Sequence, residues 1–223
     1  MDLTKSRSFF NPNNIKDEIN IIGCGSIGST LAELIVRSGI ETTINLFDFD
    51  VVEPHNLVNQ LFYKDDIGKL KTEAVKENIL KINPDLKVKT FNKGWNGEML
   101  RGYVFLCADS MKVRNEIAKG NKQNPFVLMM CDFRTRLTDA QHYAADWSDS
   151  KQVNNFISSM NFSDEEGKEA TPQSACGTDL SVAPTIRQIV ACGVANWMNF
   201  VLDRKKIKNI IIYDAFNFLI DVI

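Results

Sequence analysis

The segment Ile19-Asn20-Ile21-Ile22-Gly23-Cys24-Gly25-Ser26-Ile27-Gly28 decides the fold. A short apolar run reads as a first strand and passes directly into GxGxxG. A periodic stretch over residues 26–38, stopped by Gly39, then reads as a helix. Glycines at these spacings permit a tight turn and close backbone approach, and the helix N-terminus offers unpaired N–H groups to a phosphate. Residues 43–49 are β-branched and aromatic and form the expected second strand. Asp48, near its end, stands twenty residues past Gly28, where an acid holds ribose hydroxyls. The glycine motif alone does not choose among nicotinamide, flavin and adenylate chemistry.

Outward from this unit the chain keeps alternating strand and helix, the pattern of an α/β sheet with helices packed on it. A polar loop with Pro54 leads to a helix expected to open at Asp65 or Asp66 and to end at Asn83-Pro84. Further strands are expected over 86–91, 103–107 and 126–131, with a helix over 112–119. After Asp132 the pattern changes to a strand over 137–145, a long helix over 184–202 and a final strand pair over 210–213 and 216–220. The prediction is a Rossmann-like sheet, parallel in its N-terminal half and antiparallel in its C-terminal strands, with helices on both faces. One domain is expected over residues 1–223, with an N-terminal arm over 1–17 and a polar, crossover-type excursion over 146–175 carrying Asp164-Glu165-Glu166.

The chain has 223 residues and a formal net charge of −2, so no basic footprint for nucleic acid or anionic membrane is present. Residues 1–14 are polar and lack the apolar core of a signal peptide. The most apolar helix is interrupted by Arg187, Gln188, Asn196 and Asn199, which argues for a buried or interface helix over a lipid-spanning one. Five scattered cysteines, Cys24, Cys107, Cys131, Cys176 and Cys192, form no CxxC, so neither a disulfide framework nor a zinc site is signalled. A reducing cytoplasm is the expected home.

The run LFDFDVVEPHNLVNQ (residues 46–60), followed by Gly68-Lys69-Leu70-Lys71, resembles the ThiF/MoeB family and the adenylation domains of ubiquitin-activating enzymes. There a DxDxV…NLxRQ element precedes GxxK. Asp48, Asp50, Val52, Asn56, Leu57 and Gln60 keep that spacing, and Gly68 with Lys71 supplies the second element. Cys107-Ala108-Asp109, with Arg114 shortly after, looks like the family's magnesium-binding Asp. The resemblance covers residues 19–132 and 174–200. It departs from the family at Asn59, which replaces an Arg, at Ser110, which replaces the Asn usual after the magnesium Asp, and in lacking paired CxxC motifs.

The resemblance implies ATP with Mg²⁺ as cofactors and adenylation of the C-terminal glycine carboxylate of a ubiquitin-like or sulfur-carrier protein, by a homodimer. A carboxylate attacking a triphosphate needs cations and donors more than a strong base. Lys71 is the first candidate, on a helical face shared with Ile67 and Val75. Gly23, Gly25, Ser26, Ile27 and Gly28 cradle phosphate in this reading, and Asp48 holds ribose. Asp109 holds the metal, caps the next helix, or both. Asp50, Asn56 and Gln60 orient the nucleotide or, for the Asx residues, bond their own turns. Arg7 from a neighbouring subunit is the expected substitute for the missing Arg, ahead of Arg134 and Arg136. Cys176, before the long helix, is a candidate acyl- or sulfur-accepting thiol, or an inert one. Other readings stay open: the scaffold half of a heterodimer, a peptide or tRNA-base substrate, or an NAD-dependent oxidoreductase.

Overall fold

The computed structural model describes residues 2–169 and 180–223. Eight strands form one sheet: β1 (Ile19–Ile22), β2 (Ile44–Phe47), β3 (Val88–Phe91), β4 (Gly102–Leu106), β5 (Val127–Thr135), β6 (Asp139–Asp146), β7 (Ile210–Asp214) and β8 (Leu219–Val222). Their order across the sheet is β3-β2-β1-β4-β5-β6-β7-β8. Pairing is parallel from β3 to β5 and antiparallel from β5 to β8, as the sequence predicts. The strand order reverses between β1 and β4, and ligands of open α/β sheets bind at that point, beyond the strands' carboxyl ends.

The helices are α1 (Ser26–Arg37), α2 (Lys71–Leu80), α3 (Met111–Gly120), α4 (Ser150–Ser158), α5 (Asp164–Glu169) and α6 (Ala183–Leu202). Side chains alternate across each strand, so β1 and β4 feed two cores. Ile19, Ile21, Tyr103 and Phe105 join Leu31, Ile35, Ile79 and Trp197 under α1, α2 and α6. Ile22, Val104 and Leu106 join Ile117, Trp147 and Phe156 under α3 and α4. The breadth of apolar sequence in α6 is consumed within the chain, because Ile186, Ile189, Val190, Val194, Trp197 and Phe200 are all buried.

Three expectations are corrected. The second helix begins at Lys71, not at Asp65 or Asp66. Asp66 closes its own short turn by accepting from the Tyr63 amide at 2.9 Å, and Gly68, at φ +88°, breaks the helical path before α2 starts. Strand β5 runs on through Asp132 to Thr135, because β6 pairs with it along that length. The excursion over 146–175 begins with helices α4 and α5, nucleated by Asp149 and by the Ser163–Glu166 reciprocal bonds.

Candidate functional site

Steric limits set the phosphate loop. Gly23 has φ +97°, and a Cβ there would fall 2.6 Å from the Ala108 nitrogen. A Cβ on Gly28 would fall 1.9 Å from the Gly23 carbonyl oxygen, so these two glycines close the loop onto β4 and α1. Gly25 differs. Its nearest neighbour would be Gln60 Oε1 at 4.0 Å, which leaves the loop's outer side open. Gly25 is also the N-cap of α1 and supplies no side chain to the first turn. The amides near Ser26 and Ile27 therefore stand at an uncapped helix start.

Around this opening the polar residues of the second strand and its loop converge. Asp48 Oδ2 accepts from the Cys24 amide at 2.6 Å, and Oδ1 accepts from the Asp50 amide at 2.8 Å. Burial raises the Asp48 pKa, against the two amide bonds and Lys71. Each carboxylate oxygen keeps a second lone pair for a hydroxyl donor. Gln60 Oε1 is buried without a hydrogen-bond partner, a costly state that a bound group would relieve. Turning that amide over presents its NH₂ to the same space.

Lys71 reaches the site by a route the sequence did not show. The backbone of 68–71 zips antiparallel onto 50–52, through Gly68 N to Val52 O, Val52 N to Lys69 O and Lys71 N to Asp50 O, at 2.8, 2.8 and 2.9 Å. Lys71 Nζ then pairs with Asp50 Oδ2 at 2.7 Å. The lysine is the first residue of α2 and largely buried, while Asp50 is half exposed, so an incoming anion meets a lysine already fixed in place. Asn56 spends its Oδ1 on the Glu53 amide, at 2.9 Å within its own turn. Asn59 donates to Ser181 Oγ and so ties this loop to the approach to α6.

Asp109 follows β4, across the switch point, with its side chain exposed and Oδ1 accepting only from the Ser110 amide at 2.9 Å. The helix-capping role belongs instead to Ser110, whose Oγ accepts from Val113 N at 3.3 Å. Asp164 adds to it, accepting from Ser110 Oγ at 2.7 Å and from the Met111 amide. No trio of His, Cys, Asp or Glu is arranged for a metal ion among the described residues. A lone carboxylate fits Mg²⁺, which takes one or two carboxylates and fills its shell with phosphate oxygens and water.

The cation alternatives fare differently. Arg134 is not free, because its guanidinium bonds Asp132 Oδ2, Ser159 O and Ser159 Oγ and lies 4.0 Å from the Tyr143 ring centroid. Arg136 is exposed. Arg7 is exposed too, one turn from Leu3, whose side chain packs on Gly39 at the far end of α1. With twelve residues, α1 spans about 18 Å, so that anchoring separates Arg7 from the phosphate loop of its own chain. The arm itself is pinned by Phe10, which packs on Trp197 at 5.7 Å between ring centroids. Cys24, Cys107 and Cys131 are buried and their thiols are pushed up by burial, as core residues. Cys176 lies outside the described residues.

One group of side chains escaped the sequence reading. Asp132, fully buried, holds Arg114 Nη1 at 2.6 Å and Arg134 Nε at 2.7 Å. The available signal was Arg114 standing on the helical face that carries Met111, Ile117 and Ala118. A charge on an apolar stripe requires a buried partner.

The model of the ThiF family matches residues 15–222 of this chain. Over 179 residues the chain is 30% identical to ubiquitin-like modifier-activating enzyme 5 of Caenorhabditis briggsae, covering 77% of this chain and 39% of that protein. The Dictyostelium discoideum protein of the same name is 40% identical over 94 residues, 41% of this chain and 24% of that one. The chain thus spans about two fifths or less of the length of these relatives. Among solved structures, E. coli MccB with ATP superposes with a TM-score of 0.70 at 20% identity, over 95% of this chain and 65% of MccB. PaaA superposes with a TM-score of 0.69 at 17% identity, over 95% of this chain and 64% of PaaA. With the family model spanning nearly the whole sheet, from before β1 to the end of β8, the chain belongs to the ThiF family.

Proposed function

We propose that this chain binds Mg·ATP and adenylates the C-terminal carboxylate of a ubiquitin-like or sulfur-carrier protein. The observation that carries the reading is the convergence at one sheet edge of an open phosphate loop, the Asp50-held Lys71 and the unpartnered Gln60 Oε1. A dinucleotide oxidoreductase would use the loop and Asp48 but gives no role to Lys71 or Asp109. In the reaction, a substrate carboxylate oxygen bonds to the α-phosphorus, the bond to the bridging oxygen breaks, and pyrophosphate leaves. Lys71 offsets the repulsion between carboxylate and triphosphate, and the first amides of α1 bind phosphate oxygens. Asp48 orients the ribose. Asp109 would hold Mg²⁺, which would supply further neutralisation of the phosphate charge.

ATP–pyrophosphate exchange, with and without carrier proteins ending in glycine, tests this directly. Lys71→Ala and Asp109→Ala are each expected to lower exchange by roughly 10²–10³-fold, as for loss of one preorganised stabiliser. Exchange near the wild-type rate removes the residue concerned from the mechanism. Tight NAD binding without ATP binding, measured by calorimetry, ends the adenylation reading.

A homodimer in the cytoplasm belongs to the same proposal, with Arg7 acting in the partner's site. Among the described residues no helix is long and apolar enough to cross a membrane. Mixing Arg7→Ala subunits with Lys71→Ala subunits restores partial exchange if Arg7 acts across the interface, and restores none otherwise. A second reading, the catalytically reduced half of a heterodimer, is favoured by one observation: Asn59 serves as a strut to Ser181 where relatives of this pattern carry a cation. Exchange that appears only after a second, Arg-bearing family member is added would select it.

A further inference from the structure

The peptide between Cys107 and Asp109 is gripped from two sides. On one side lies the phosphate loop. The Cys107 amide donates to Ile22 O at 2.7 Å, and Gly23 approaches so closely that a Cβ would sit 2.6 Å from the Ala108 nitrogen. On the other side Arg114 Nε donates to the Ala108 carbonyl at 2.6 Å. The same guanidinium spends Nη1 on Asp132 Oδ1 and on Phe133 O, each at 2.6 Å. Arg114 is 7% exposed and Asp132 0%, so these bonds are made out of water. A planar fork held on three acceptors has one orientation, which the point charge of a lysine cannot reproduce.

Capping of α3 does not account for the Ala108 bond, because Ser110 and Asp164 already serve the first amides of that helix. Nor does neutralising Asp132, since Arg134 already pairs with its other oxygen. The surplus contact is the one that fixes the carbonyl immediately before Asp109. The geometry points to Arg114 as a positioning residue, which locks the Ala108–Asp109 turn against the phosphate loop so that the Asp109 carboxylate faces a metal-bound triphosphate in one orientation. This rests on the reading of Asp109 as the carboxylate that meets Mg·ATP. Arg114 itself touches no ligand.

The test is ATP binding by calorimetry across a Mg²⁺ series, on wild type, Arg114→Lys, Arg114→Gln and Arg134→Gln, with thermal melts recorded on each. Arg134 still pairs with Asp132 in both Arg114 variants, which lose the Ala108 grip together with the bonds of Arg114 to Asp132 and Phe133. Arg134→Gln is the control that perturbs the ion cluster but leaves the grip. Either Arg114 variant is expected to raise the half-saturating Mg²⁺ concentration by about 10–100-fold, the usual cost of losing an outer-shell support. Binding of ATP in EDTA should stay near wild type. Arg134→Gln, which touches the same aspartate but not Ala108, should melt earlier with an unchanged Mg²⁺ requirement. A wild-type Mg²⁺ requirement in a folded Arg114 variant overturns the inference. So does an equal rise in Arg134→Gln, which would reduce Arg114 to general support. If wild-type binding of ATP ignores Mg²⁺, the reading of Asp109 fails first and the inference falls with it.

Discussion

The phosphate loop and the Asp132 cluster flank the carboxyl end of β4 from its two sides, and they are built by different means. Residues 22–28 and 48–50 hold the loop through the Asp48 bond to the Cys24 amide and through Gly23 and Gly28, which leave no space for a Cβ. The cluster draws Arg114 from α3, Asp132 from β5 and Arg134 together with the end of α4, and holds them by buried charge. The loop depends on steric exclusion, of Gly28 against Gly23 within the motif and of Gly23 against the Cys107–Ala108 peptide. The cluster depends on desolvated ions that must all arrive before any of them is favourable. The first should therefore fail by local distortion, and the second by loss of the whole edge.

That contrast is open to measurement. The largest effect is expected from Asp132→Ala, which leaves two arginines in a buried setting without their anion. Breaking such a pair costs about 3–5 kcal/mol, read as a lower denaturant midpoint. A loss below about 1 kcal/mol, typical of exposed ion pairs, would mean that the cluster is not held by buried charge.

His142 sharpens the comparison through pH. It is fully buried, with its ring 4.6 Å from that of Phe133, and burial lowers its pKa from 6.5 to about 4. The folded state thus binds the proton less well than the unfolded chain. Its contribution is complete above pH 6.5 and is lost as pH falls toward about 4, to a total of about 3 kcal/mol. His142→Gln should flatten this part of the stability–pH profile. An unchanged slope between pH 6 and 4 would assign the acid sensitivity elsewhere.

The loop gives the smallest change in stability and the cleanest split. Gly28→Ala places a Cβ against the Gly23 carbonyl and should destabilise by about 2–3 kcal/mol, as overpacking does. Gly25→Ala meets open space and should leave the midpoint close to wild type while weakening ATP binding in calorimetry. Equal destabilisation by both substitutions would refute the assignment of Gly25 to the ligand side.

Much of the site was legible because it is local. GxGxxG, Asp48 and the length of α1 follow from spacing, and the structure places Asp48 on the Cys24 amide. Lys71 was expected inside a helix opened at Asp65 or Asp66, whereas Gly68 and the pairing of 68–71 with 50–52 delay the helix until the lysine itself. Arg134 was proposed as a free cation and is sequestered, because a strand pattern does not show which buried acid lies opposite it. Asp164 read only as part of an acidic run in a polar excursion, yet it caps a helix more than fifty positions earlier in the chain.

Sequence alone determined the alternating α/β order, the switch from parallel to antiparallel strands, the glycine loop and its acid. Each was legible from the periodicity of the elements or from motif spacing, which any correct fold must respect. Tertiary structure decided that Lys71 pairs with Asp50, that Gln60 Oε1 is buried without a partner, that Arg7 lies away from its own phosphate loop, and that Arg114 grips the turn before Asp109. Those outcomes depend on which buried polar groups meet once water is excluded, and a charge in the sequence does not name the distant partner that makes its burial possible.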